Sequence, residues 1–141
     1  MLADISQRCD TIEECYEFML AYAAQGLPSD EGSNSGGQIR EYLARAAQAI
    51  SGLAESGAAA VQQDSLSPAE RYQSFFAVLA RDASDSLAAI ELVFAQPAIS
   101  SQLIDNLNAS IHLRALLTDL FLLSEIAKTQ RTPAKPLASG G

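Results

Sequence analysis

The chain has 141 residues, a formal charge of −8 and a pI near 4.4, which excludes the basic footprint that nucleic-acid or anionic-membrane binding requires. Hydrophobic residues make up 48% of the sequence, aromatics only 6%, and Trp is absent; much of the apolar share is Ala. That composition favours helix over strand, and the length suits one domain that buries its core without disulfides or metals.

The start, MLADISQRCD, has neither a basic n-region nor an apolar h-region, so no signal peptide is expected. The longest charge-free apolar run in the strongest hydrophobic region, Leu120–Leu123, is far too short to cross a bilayer. The expected location is the cytoplasm, with no membrane and no nucleic acid among its partners. Cys9 and Cys15 lie six apart, which matches no CxxC or metal-ligand spacing, so free thiols are expected and no metal or cofactor.

In chain order, a first helix is expected over 11–25. Asp10 or Thr11 caps it, Ile12, Cys15, Met19, Tyr22 and Ala23 form its apolar stripe, and Gly26 and Pro28 stop it. Residues 27–37, LPSDEGSNSGG, read as a flexible connector. They lack the preceding strand and following Lys-Ser/Thr of a phosphate loop. A second helix is expected over 38–55, with Ile39, Tyr42, Leu43, Ala46, Ile50 and Leu53 on one face and Gly57 as its end. The segment AAAVQQDSL that follows fits a frayed turn or a loop equally well.

Ser67-Pro68-Ala69-Glu70 reads as a capping box that starts a third helix, which ends near Ala95. Its apolar positions Tyr72, Phe75, Phe76, Leu79, Ala83, Leu87, Ile90 and Phe94 come at nearly heptad spacing. Gln96-Pro97 breaks the chain, and a fourth helix is expected over 98–130. The domain then spans 1–130, and 131–141 is an expected disordered tail. The fold class is all-α: an up-down bundle of four main helices built on a long antiparallel helical hairpin.

The fourth helix contains Ile111 to Ala127, which is apolar on more than one side and so should be buried by several neighbours. Leu103, Leu107, Ile111, Ala115, Phe121, Leu122 and Ile126 are expected to face the hairpin partner. Leu113, Leu116, Leu120 and Leu123 form the second face, which the first two helices or a second subunit must cover. Arg114 falls on the apolar side, opposite Leu79 in the simplest hairpin register, and is expected to pair with Asp82, or else with Asp119 or Glu125. A buried guanidinium needs such a partner. With Thr118 one turn on, these residues outline an interior anion or small-molecule site.

His112 is the only histidine, on an edge shared with Asp105 and Asp119. Histidine phosphotransfer domains are small acidic four-helix bundles with one exposed His, a Lys three residues later and a Gly four later. Here the basic residue is Arg114, at +2, and no Gly follows, so phosphotransfer through His112 is the weaker alternative. No catalytic triad is arguable around a single histidine on such an edge. Without a catalytic constellation, the expected function is non-catalytic: an interaction or accessory protein that offers a helical surface to a protein partner or to a second copy of itself.

Overall fold

The computed structural model describes residues 2–131. Among the described residues the chain is all-helical, with six helices rather than four: α1 Leu2–Ala24, α2 Asn34–Ser51, α3 Leu53–Gln63, α4 Ala69–Phe94, α5 Ser101–Asn108 and α6 Ile111–Arg131. Of the expected tail, Arg131 closes α6 and residues 132–141 lie outside the described residues. No helix among the described residues is long and apolar enough to cross a membrane.

The centre of the fold is α1. It packs against α2, α3, α5 and α6. Ile5, Cys9, Ile12, Cys15, Met19 and Tyr22 are all buried along one stripe, so the apolar period begins well before Thr11 and the capping role expected of Asp10 or Thr11 is not used. At about 2 kcal/mol per buried large aliphatic side chain, this stripe is a principal source of stability. The helix ends at a turn in which Gly26 takes φ +68°, a left-handed conformation that costs Gly little.

Residues 27–33 are a clasp rather than a loose connector. Asp30 accepts from the backbone N–H of Ile99 at 2.8 Å and from Arg40 Nε at 2.8 Å. Arg40 also donates to the carbonyls of Phe94 and Gln96 at 2.8 Å, which satisfies the otherwise unpaired C-terminal end of α4. Ser33 caps α2 by accepting from Gly36 N, and α2 therefore begins inside the Ser/Gly-rich stretch. Gly36 is required there, because a Cβ would sit 2.0 Å from the Asp30 carbonyl oxygen.

The expected second helix is split at Gly52. Arg8 of α1 donates to the carbonyls of Gln48 and Ala49, the last acceptors of α2, while Ser56 of α3 donates to Asp4. These contacts pin the α2–α3 joint to the N-terminal turns of α1. Gly57 does not stop a helix; it lies inside α3, where a Cβ would meet the Phe76 ring at 2.9 Å. The ambiguous AAAVQQ segment is part of the same helix.

α4 starts at Ala69, but its N-terminus has no side-chain cap hydrogen bond, so the expected capping box does not form. The expected fourth helix is interrupted. Ser100 caps α5 through Leu103 N, α5 ends at Asn108, and Ser110 caps α6 through Leu113 N. The short α5 is tied to α1 by buried polar contacts. Ser101 Oγ donates to the Tyr22 carbonyl at 2.6 Å, Tyr22 donates to the Ile99 carbonyl at 2.6 Å, and Asn108 donates to the Met19 carbonyl at 3.1 Å. Tyr22 is thus a fully buried hydrogen-bonding anchor.

Candidate interaction surface

The two faces of the fourth helical segment are exchanged relative to the sequence reading. Leu113, Leu116, Leu120 and Leu123 are buried against the chain's own helices and present no surface to a partner. Ile111 is 75% exposed, and Phe121 and Leu122 are about half exposed. α6 is therefore not buried all round. Its inner side completes the core, and its outer side carries large apolar residues in solvent.

The break at Ala109–Ser110 explains the exchange. At about 100° per residue, the buried residues of α5 (Ser101, Ile104, Leu107 and Asn108) and those of α6 point in directions roughly a third of a turn apart. A continuous helix would have carried the α5 face on through Ile111, Ala115 and Leu122. The break resets the phase and sends those residues outward.

The same shift moves the register against α4. Ser86 Oγ donates to the His112 carbonyl at 2.8 Å, and Asp82 meets Asp119. The expected Arg114–Asp82 pair does not form. Arg114 is exposed and takes part in no ion pair among the described residues. It lines an open groove of about 370 Å³ with Ala109, Ile111, Ala115 and Thr118. The Thr118 hydroxyl is spent on the Arg114 carbonyl at 2.9 Å. Arg114 and Thr118 are thus brought together at the surface, and Asp82 is elsewhere; an interior Arg114/Asp82/Thr118 site is not present.

Asp82 instead takes part in a feature the sequence reading missed. Asp119 is only 9% exposed, and its Oδ2 has no hydrogen-bond partner among the described residues. Burial, then hydrogen bonding and charge from Asp82, push its carboxyl up to about 7. The available signal was the position of Asp119 beside the Leu116/Leu120/Leu123 arc, readable only once that arc is known to face inward.

His112 is exposed, with Nδ1 4.0 Å from Asp85 Oδ2. Asp85 is exposed as well, and such a contact adds little stability. Arg114, two positions along, projects from nearly the opposite side of α6. A phosphoryl group on His112 would meet the Asp85 carboxylate and no cation from Arg114. No group of three or more His, Cys, Asp or Glu residues able to hold a metal occurs among the described residues.

Cys9 and Cys15 are free and buried. Burial, with the charges of Glu13 and Asp10, pushes the Cys9 thiol up to about 12, and burial also raises Cys15. The two lie about 9 Å apart along α1, beyond disulfide reach.

The remaining exposed large apolar residues are Leu20 on α1 and Val78, Leu92 and Phe94 on α4. Phe94 lies under the Arg40 guanidinium, 5.8 Å from ring centroid to Cζ, so it has an intramolecular partner. Ile111, Phe121 and Leu122 all lie on the outer side of α6, away from its buried leucines. In comparisons with known proteins, no family model matches this chain, and no curated protein or solved structure matches it.

Proposed function

We infer that the chain is a non-catalytic interaction protein that presents the outer face of α6 to a protein partner. The observation that carries this reading is the exposure of Ile111, Phe121 and Leu122 on a helix whose inner face is already saturated by core contacts. Isolated exposed apolar residues are ordinary, but several on one face of one helix are the common mark of a protein contact. The acidic charge of the whole chain supports a protein partner over nucleic acid.

A photo-crosslinking amino acid at position 122, compared with one at exposed Ser74 on α4, tests this in the native cell. A discrete cross-linked protein species from position 122 alone is the expected outcome. Equal, diffuse labelling from both positions rejects the reading.

Small-anion binding is a second reading, favoured by the unpaired Arg114 in its groove. Native mass spectrometry of the wild type and of Arg114→Leu decides it, since a retained mass that disappears with the guanidinium is required.

A further inference from the structure

We propose that the partner of the α6 outer face is a second copy of this chain, docked antiparallel about a two-fold axis that passes between Thr118 and Phe121. This rests on the reading of α6 as the interaction face and goes further by naming the occupant. The first support is the spacing of the exposed seam. Ile111, Ala115, Thr118 and Leu122 follow each other at intervals of four, three and four, the spacing by which one helix seats its side chains between those of another. Ala115 and Thr118 are small and allow close approach near the middle, while Phe121 and Leu122 supply the projecting side chains.

The second support is charge. Arg114 and Glu125 lie on the same outer face and at equal distances on either side of the proposed axis. They are eleven residues apart, about 16 Å along the helix, and so cannot pair within one chain. In the antiparallel dimer each Arg114 meets the Glu125 of the other copy, twice over. Glu125 already contacts Lys128 of its own helix at 3.2 Å, but both are largely exposed, and such a pair is readily exchanged. The same register lays the aliphatic stem of Lys128 over Ile111 of the other copy, covering the most exposed large apolar residue of this face. A two-fold contact must be self-complementary in this way, with each residue's partner meeting it in return.

The test is a reciprocal charge swap read by sedimentation equilibrium and native mass spectrometry over a wide concentration range. Arg114→Glu and Glu125→Arg are both surface changes on a helix, so circular dichroism should show unaltered folding. Wild type is expected to dimerise. Each single variant sets two like-charged pairs against each other and should dimerise about tenfold or more weakly.

The two single variants mixed should form a heterodimer, because every pair across that interface is again opposite in sign. The double variant Arg114→Glu/Glu125→Arg should regain self-association. A wild type that stays monomeric throughout overturns the proposal. So does a dimer indifferent to the single changes, or a mixture that fails to associate.

A monomer that still gives a discrete cross-link from position 122 to a different protein removes the second copy and leaves the interaction reading standing. A monomer with no such cross-link removes both.

Discussion

The most exposed consequence of this fold is a stability that falls as pH rises through neutrality, and Asp119 is the lever. Its carboxyl is raised from an ordinary 3.8 to about 7, first by burial and then by Asp82. A folded-state value above the unfolded one means that the native protein holds this proton more tightly than the unfolded chain does. The native state therefore gains stability below the unfolded value, near 4, and loses it progressively as pH climbs to about 7. A shift of about three units corresponds to roughly 4 kcal/mol between the two ends of that window. Glu13, raised by burial and by Asp10 and Glu17, acts in the same sense, so the wild-type slope alone does not isolate Asp119.

Asp119→Asn does isolate it. The substitution keeps the shape, removes the ionisable proton and gives Asp82 an amide donor. Urea unfolding near pH 4, where the carboxyl is protonated in the native state and still largely so in the unfolded chain, should show little change. At pH 8 the variant should be more stable by about 2–4 kcal/mol, and in thermal melts its Tm should rise by several degrees per kcal/mol. A variant with the wild-type pH slope between 5 and 8, or one less stable than wild type at pH 8, would refute the assignment of the burden to this carboxyl.

Gly36→Ala should destabilise by about 1–3 kcal/mol or more in urea titration, because the new methyl meets the Asp30 backbone and not a yielding side chain. Retained wild-type stability would mean that the 27–33 clasp can shift. Asp30 is held below the usual carboxylate range, chiefly by the Ile99 N–H and then by Arg40, so its contribution is present above about pH 4 and lost as pH falls through its depressed value. Asp30→Asn should flatten the acid limb of the stability profile; an unchanged limb places the acid sensitivity elsewhere. Both thiols should resist an alkylating reagent at pH 8 in the native protein and react together on unfolding, since burial raises both. Rapid native labelling of Cys9 or Cys15 would contradict the α1 packing.

Much of the local structure was legible because it rests on side-chain periodicity. Cys15, Met19 and Tyr22 read correctly as the inward stripe of α1, and Ile39, Leu43, Ala46 and Ile50 as that of α2. Gly26 and the end of α4 were readable from turn chemistry. The errors came from residues whose meaning depends on a distant partner. Gly57 resembles a stop until Phe76 is seen beside it, and the Ser/Gly-rich stretch resembles a loose loop until Asp30 meets Arg40 and Ile99. Tyr22 carries no sign in the sequence of the Ile99 carbonyl that its hydroxyl reaches, 77 positions away.

The costliest error for the functional site was the joint at Ala109–Ser110, and it shows how one local choice spreads. Leu103, Leu107, Ile111 and Ala115 keep helical spacing on both sides of Asn108–Ser110, so the periodicity runs through the joint. Yet Asn108 is committed to the Met19 carbonyl of α1, and Ser110 spends its hydroxyl on Leu113 N. Each bond favours an end or a beginning over a continuous helix. Once α5 is fixed to α1 by Ser101 and Asn108, the phase of α6 is free to be chosen by the α4 side of the core. There Leu113, Leu116, Leu120 and Leu123 fill the interior. Ile111 and Leu122 are then necessarily turned to solvent, Arg114 loses the interior position that demanded a partner, and Asp119 is drawn beside Asp82. The outward apolar seam, the unpaired arginine and the buried carboxyl are thus three results of a single helix break. Restoring one continuous helix would have to abolish all three together.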